Sequence, residues 1–225
     1  FVFLLIPAHI AQGFGAEGTV WNGRVRIINA GGQQLRNTEW NIALSRMLIG
    51  QLGIDFKTRW SGGFAEGFAA TGITGKLVFK NTMASMDIGM LSQMMNIPQL
   101  GGQASLNLSE AVIVNNWPST LNGELEIRNL TSSLIGSGSA ELLGNVAVSF
   151  DGVTDEDGSL NGMLRDTGGP LELNGTLSLS PPSNYVVDAG VKARPQAGKN
   201  LQNSLQFIGQ RDPDGRYPFS LAGSL

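Results

Sequence analysis

Leu171-Glu172-Leu173-Asn174-Gly175-Thr176-Leu177-Ser178-Leu179-Ser180 is the longest stretch of the chain in which apolar and polar residues alternate. Side chains on a β-strand point to opposite faces in turn, so the leucines and Gly175 of this stretch share one face. The polar residues share the other face. This one-sided alternation is typical of an antiparallel sheet with one buried face, because a parallel sheet covered on both faces would be apolar throughout.

Shorter copies of the same pattern, apolar-x-Gly-x-apolar, recur through the chain. They are Trp21–Ile27, Ile73–Phe79, Leu121–Ile127 and Leu160–Leu164. A glycine inside a strand normally weakens it, so a repeated glycine on the apolar face needs a reason. We expect the missing side chains either to let the sheet coil tightly or to let another element approach closely.

Three stretches have helical spacing instead. Leu44, Met47 and Leu48 predict a short helix near residues 41–50. A second apolar stripe predicts a helix that covers the apolar face of the sheet; it consists of Met83, Met86, Met90, Leu91 and Met94. A third stripe consists of Leu201, Leu205 and Ile208, with Gly209 placed to end the helix as its C′ residue.

The predicted fold is mainly β: a strongly curved antiparallel sheet with two or three short helices, forming one domain. Turn signals such as Asp157-Gly158 and Gly168-Gly169-Pro170 separate the strands. The chain contains no linker long enough to divide it. We therefore expect a single β-rich domain over residues 13–225, preceded by a short apolar segment over residues 1–12.

The composition excludes several classes of function. Cysteine is absent and histidine occurs once, as His9, so thiol catalysis, cysteine-ligated metals and most histidine-dependent chemistry are excluded. A formal net charge of -3 argues against nucleic-acid binding. The acidic stretch Asp151–Gly158 lacks the ligand spacing of an EF-hand and predicts a solvated hairpin turn. We expect no catalytic residue, no metal site and no cofactor, and thus not an enzyme.

The chain opens on six apolar residues followed by Pro7: Phe1, Val2, Phe3, Leu4, Leu5 and Ile6. Six residues are too few to cross a bilayer, which requires roughly 20. The segment is either the outer end of a transmembrane helix, the end of a signal-peptide apolar region, or a buried first strand. Residues 8–11 make a poor cleavage site, which favours the membrane anchor.

The sequence also offers candidate contact residues outside this anchor. The apolar strand positions predict a concave face that a helix, a partner protein or a lipid must cover. Its candidate residues are Leu77, Phe79, Leu125, Ile127, Leu177 and Leu179. Trp117, which precedes a proline, is the tryptophan that we expect to make an exposed contact.

Several blocks of the chain resemble those of a known family. Two of them, Gly18-Thr19-Val20-Trp21-Asn22-Gly23 just after the apolar segment and then Trp40–Gly53, are similar to the start and to the next block of the periplasmic domain in the type II secretion system protein N family. The most specific block runs from Gly168 to Gly175 and continues with Arg194-Pro195, Leu201, Leu205, Ile208-Gly209 and Asp214-Gly215-Arg216-Tyr217. The resemblance covers about residues 13–225.

The resemblance implies a single-pass protein of the inner membrane whose β-rich domain lies in the periplasm. It implies an accessory, non-enzymatic role in export of folded proteins across the outer membrane, with other secretion-machine subunits as partners. The same strands also resemble AsmA-like periplasmic proteins, whose curved sheets hold lipid. A lipid-binding groove is therefore the alternative function, with the apolar face contacting acyl chains.

Overall fold

The structure, a computed structural model, describes residues 11–30, 33–44, 50–90, 100–133 and 140–224. The described part is mainly β, as predicted. Its elements are β1 (Ala11–Gly18), β2 (Asn22–Ala30), β3 (Gln33–Ile42), β4 (Gln51–Trp60), β5 (Gly63–Gly72), β6 (Leu77–Asp87), β7 (Leu100–Val114), β8 (Trp117–Ser132), β9 (Glu141–Val153), β10 (Leu160–Gly168), β11 (Leu171–Ser180), β12 (Asn184–Ala193), α1 (Lys199–Leu205) and β13 (Tyr217–Ser224).

The strands follow one another in the sheet in the order of the chain, from β1 to β13. Pairing between consecutive strands is antiparallel from β1 to β6 and from β8 to β13. The turn between β7 and β8 is only two residues long, Asn115-Asn116, with φ of 53° and 62°. Two positive φ values in succession fit a type I′ turn, whose twist matches that of the strands it joins.

The chain divides into two compact units. The first unit comprises Phe1–Ser85 and Asn107–Asn116, and the second comprises Met86–Leu106 and Trp117–Leu225. The first unit therefore holds β1 to β5 and most of β6. The second holds β8 to β13 and the helix α1.

In the second unit the apolar residues and the glycines share one face of the sheet, as the alternation predicts. Gly162 on β10 lies opposite Leu177 on β11, and Leu177 lies opposite Val187 on β12. On the other side of Gly162, Phe150 of β9 lies opposite Gly123 of β8. Four of the five pattern glycines thus lie within strands: Gly23, Gly123, Gly162 and Gly175. Gly75 does not, because it lies in the turn between β5 and β6 with a φ of 71°.

The sheet is not strongly curled, so the prediction of strong curvature was wrong. Two of the strand glycines, Gly23 and Gly162, instead make room for an aromatic ring on the neighbouring strand. A Cβ atom added at Gly23 would lie 2.6 Å from Cζ2 of Trp40, and one added at Gly162 would lie 2.7 Å from Cε1 of Phe150. An aromatic ring that covers a cross-strand glycine restores packing that the glycine lacks.

The helix predictions had mixed outcomes. Met83 and Met86 lie in the strand β6, so the methionine stripe does not form one helix, although residues 88–90 are helical. Leu91 and Met94 lie outside the described residues. Of the helix predicted near residues 41–50, residues 41–42 end β3 and residues 45–49 lie outside the described part.

The third predicted helix is present as α1. Leu201 and Leu205 are buried, as their spacing indicates. The helix ends at Leu205 with Gln206 as the C-cap, so the placement of Gly209 as the C′ residue was wrong. The chain leaves the helix through hydrogen-bonded turns over residues 206–208, which place Ile208 against the core without extending the helix.

We expect Gly162→Ala to lower the free energy of unfolding by about 1–3 kcal/mol, because the added methyl group would overpack a buried site. The added Cβ atom would also lie 2.8 Å from Cγ1 of Val148. Gly152→Ala is the matched control, since nothing lies within 4 Å of that Cβ position. Urea unfolding followed by circular dichroism measures both. Equal losses of unfolding free energy in the two variants would contradict the inference that Gly162 makes room for the Phe150 ring.

Candidate interaction surface

The sheet of the second unit has an apolar face. Its centre is a cluster of buried residues, Val146, Val148, Phe150 and Leu164. Partly buried apolar residues surround this cluster: Leu121, Leu130, Leu173, Leu177, Leu179, Val187 and Ala189. Because burial of apolar area stabilises a fold by about 25 cal/mol per Å², a half-covered face favours a further covering layer.

The helix α1 covers one end of this face. Leu201 and Leu205 are 1% and 0% exposed and pack in a cluster with Leu171, Val191 and Tyr217. The N-cap of α1 is Gly198, which has no side chain to cap the helix. Seven residues are too few for a stable isolated helix. Tertiary contacts of the two leucines therefore hold α1 on the sheet.

Two arginines fasten the segments around α1. The Arg194 guanidinium donates to Oδ1 of Asp166 at 2.5 Å and to the carbonyl oxygen of Gly169 at 2.8 Å. Arg216 forms an ion pair with Glu172. These contacts join the blocks on which the family resemblance rests, Gly168–Gly175, Arg194 and Asp214–Tyr217. Charge-assisted bonds of this kind are roughly twice as strong as neutral ones.

The segments around α1 also contain a contact between a guanidinium group and an aromatic ring. Arg211 Nε donates to the hydroxyl oxygen of Tyr217 at 2.6 Å, and its guanidinium lies 5.0 Å from the centre of the Tyr217 ring. Tyr217 is itself buried against α1. The contacts of these three arginines thus stabilise the packing of α1 and β13, and each arginine has a partner.

The predicted face residues lie on apolar strand positions. Leu125 lies opposite Val148 and Ile127 opposite Val146, both on the apolar face of the second unit. Leu177 and Leu179 lie on β11 of the same face and are half-buried. Leu77 and Phe79 lie on β6 in the first unit, where the exposed fraction of Leu77 is 36%. A contact role for these six residues stays a prediction.

Trp117 is half-buried at the start of β8. Its indole Nε1 donates to the carbonyl oxygen of Gly158 at 2.8 Å, which ties β8 to the hairpin turn after β9. That turn is the acidic stretch of the sequence analysis, closed by Gly158 N–H donating to Asp155 O at 2.9 Å. The hairpin prediction is confirmed, and the exposed contact of Trp117 stays a prediction. Phe1–Ile6 lie outside the described residues.

The polar face of the first unit carries alternating charges across five strands. Register places Glu17 opposite Arg24, Arg24 opposite Glu39, Glu39 opposite Lys57, and Lys57 opposite Glu66. The Arg24–Glu17 pair is 2.7 Å long and the Lys57–Glu66 pair 2.6 Å.

The hydrogen bond from Arg24 lowers the pKa of Glu17 below its ordinary value and raises the pKa of Arg24. Both groups are exposed, so the pair contributes little to stability. It favours the observed strand register instead, because a slip by two residues would place Arg24 opposite an uncharged residue, Thr19 or Gly15. This row of charges has no signal in the sequence, because its members come from five different strands.

The described residues contain no cluster of three or more His, Asp or Glu side chains that could hold a metal ion. In the same residues we find no helix with the length and apolar character needed to cross a membrane.

Comparison with known proteins gives a consistent result. The family model described as "Type II secretion system (T2SS), protein N" matches residues 13–220. The "Type II secretion system protein N" of Vibrio cholerae serotype O1 is 26% identical over 98% of this chain and 89% of its own length. The protein of the same name from Aeromonas hydrophila is 22% identical over 99% of this chain and 88% of its own length. No solved structure matches the chain.

Proposed function

Because this chain belongs to the type II secretion system protein N family, we propose that it is an accessory, non-enzymatic component of the type II secretion machinery. In this role it supports the export of folded proteins across the outer membrane. The observation that carries the proposal is the extent of the family match, which spans most of β1, all of β2 to β12, α1 and the first half of β13.

The proposed topology is a single-pass protein of the inner membrane. Residues 1–12 are the end of the membrane anchor, and residues 13–225 are the periplasmic domain. The apolar side chains of Phe1–Ile6 support the anchor, since each favours the bilayer interior.

The proposed partners are other secretion-machine subunits in the inner membrane and periplasm. The two outer strands of the sheet, β1 and β13, offer backbone groups for strand addition. Pro218 on β13 lacks an N–H group, which restricts strand addition on that edge. The edge of β1 is therefore the better candidate for a partner strand.

A secretion assay tests the proposal. The gene is deleted in a host that secretes an enzyme through the type II pathway, and the enzyme is measured in the medium and in the periplasm. We expect less enzyme in the medium and more in the periplasm, with full recovery when the chain is supplied from a plasmid. Unchanged partition of the enzyme after deletion would contradict the proposal.

Fusions at the C-terminus test the topology separately. Alkaline phosphatase becomes active only in the periplasm, so a fusion after Leu225 is expected to be active and to fractionate with the inner membrane. Replacing Leu4 and Leu5 by arginine is expected to lower the share of the fusion in the membrane fraction, because charged residues in the apolar segment disfavour its insertion into the bilayer. An inactive fusion would contradict the periplasmic location.

A lipid-binding groove is the second candidate function. It is favoured by one observation: α1 covers only one end of the apolar face, and Leu177, Leu179 and Val187 remain half-buried. Native mass spectrometry of detergent-free protein tests it. We expect phospholipid adducts if the groove is a lipid site, and their absence would contradict this candidate while leaving the secretion role untouched.

A further inference from the structure

Six of the nine exposed large apolar side chains in the described part of the first unit lie at one end of its sheet. Consecutive strands are antiparallel, so the connections β1–β2, β3–β4 and β5–β6 all lie at that end. Direct bonds confirm the proximity, since Ile42 N–H donates to Trp21 O at 2.7 Å and Ala43 N–H to Gly53 O at 2.9 Å. We name these residues the apolar rim: Val20, Trp21, Leu44, Leu52, Ile73 and Leu77.

The apolar rim projects into solvent. Ile73 stands at the tip of the β5–β6 turn with 97% of its surface exposed, and Leu44 is 50% exposed. Single exposed apolar residues are common on protein surfaces, but six of them at one end of one sheet form a cluster that marks a contact site. Three separate connections contribute to the cluster, so no single loop conformation accounts for it.

The charged residues near the apolar rim indicate which class of partner it contacts. In the described residues of this end, 19–22, 42–44, 50–52 and 71–77, Lys76 is the only charged residue and no carboxylate occurs. The opposite end of the same sheet differs, since Arg36 and Arg59 lie opposite each other there. A surface of protruding aliphatic side chains, one tryptophan, neutral threonines and a lysine matches the interface of an anionic bilayer.

We propose that the apolar rim inserts into the headgroup region of a phospholipid bilayer. Ile73, Leu52 and Leu77 enter the acyl boundary, the Trp21 indole lies at headgroup level, and the Lys76 ammonium contacts lipid phosphates. A protein partner is less favoured, because protein interfaces surround an apolar centre with a polar, hydrogen-bonding margin.

This contact is separate from the proposed membrane anchor. Ala11 begins β1 at the other end of the sheet, opposite Ala30 of β2, while Gly18 ends β1 at the apolar rim. Eight strand residues span about 25 Å at roughly 3.3 Å per residue. The apolar rim is thus a second lipid contact, and its test requires only the purified chain and lipid, independent of any role in secretion.

The absence of native cysteine allows a site-specific test. Ile73→Cys in the full chain is labelled with the environment-sensitive dye NBD, and Ser61→Cys, in the turn at the opposite end of the sheet, is the matched control. Both positions are exposed, so neither change disturbs packing. Vesicles contain phosphatidylethanolamine and phosphatidylglycerol, and some carry a nitroxide quencher at shallow depth.

We expect the dye at position 73 to brighten several-fold and shift to shorter wavelength with vesicles, and to be quenched by the shallow nitroxide. The dye at position 61 is expected to keep the brightness and wavelength that it has in water. Adding Lys76→Glu to the labelled Ile73→Cys chain weakens the response, because it replaces the attraction to anionic lipid by repulsion.

Three results would overturn the proposal. The first is protein that floats with the vesicles while the dye at position 73 keeps the fluorescence of a dye in water. The N-terminal segment alone would then bind the vesicles. The second is an equal response at positions 61 and 73, which indicates general adsorption. The third is a lipid-independent shift that grows with protein concentration, which assigns the apolar rim to contact between copies of the chain.

Discussion

Replacing Leu205 by alanine is expected to lower the free energy of unfolding of the second unit by about 3–5 kcal/mol. Leu205 is 0% exposed, so the substitution removes buried methyl groups and leaves a cavity between α1 and the sheet. The surroundings have little freedom to collapse into the cavity, because Arg194 and Arg216 fasten the flanking segments to β10 and β11. The helix also has no side-chain cap that could hold it without its leucines.

Hydrogen exchange followed by mass spectrometry measures this loss in the peptides of β11 and β12. Phe207→Ala is the matched control, because it removes a larger side chain two residues away that is 89% exposed. Surface substitutions usually change stability by less than about 0.5 kcal/mol. Similar protection in Leu205→Ala and in the unsubstituted chain would contradict the role of α1 as the cover of the apolar face.

The strands β11 and β12 of the second unit could be predicted from the sequence because they are regular. From Leu171 to Ser180 the period of two is unbroken, and the register with β12 is continuous over the whole strand. The helical period of Leu201 and Leu205 is equally clear, since both leucines face one buried cluster. Local periodicity sufficed wherever neighbouring residues share one conformation.

Bulges explain why other strands were harder to predict. Asn37, Asn81 and Asn129 have φ of 48°, 46° and 51° and lie inside β3, β6 and β8. The strand register shifts next to each of them. Each shift reverses the alternation of faces along the strand. The spacing of Met83 and Met86 has a different cause, since both follow the bulge at Asn81 and an interval of three residues in a strand places them on opposite faces.

A sequence signal for these bulges exists. Each asparagine follows a basic residue and precedes a threonine by one or two positions: Arg36-Asn37-Thr38, Lys80-Asn81-Thr82 and Arg128-Asn129-Leu130-Thr131. Asparagine tolerates positive φ better than most residues, so its recurrence in strand-like stretches indicates bulges.

The contact surfaces were less predictable than the strands. Arg194 and Asp166 are 28 positions apart, so the sequence alone could not pair them. Every second connection of an antiparallel sheet lies at the same end, and this brings the members of the apolar rim together. The number of strands between them must therefore be known before the rim can be predicted. Leu77 was predicted as part of a concave face by its period, whereas its position at the rim follows from where β6 begins.

Replacing Gly169 by alanine is expected to cost about 4 kcal/mol of unfolding free energy, the sum of roughly 1–3 kcal/mol of backbone strain and a similar cost of collision. Gly169 has a φ of 122°, and an added Cβ atom would collide with the Cα atom of Gly144 on the neighbouring strand. A shift of this turn would also displace the carbonyl oxygen that accepts from Arg194. Thermal unfolding and hydrogen exchange of β9 and β10 measure the loss.

Gly168→Ala separates the two contributions. Gly168 has a similar φ of 136°, but nothing lies within 4 Å of its Cβ position, so its substitution carries strain without collision. We expect it to cost about 1–3 kcal/mol. If both variants lose the same stability, backbone conformation alone requires the two glycines. If Gly169→Ala loses more, the close approach of β9 to the turn before β11 is the reason that this block combines paired glycines with an arginine far along the chain.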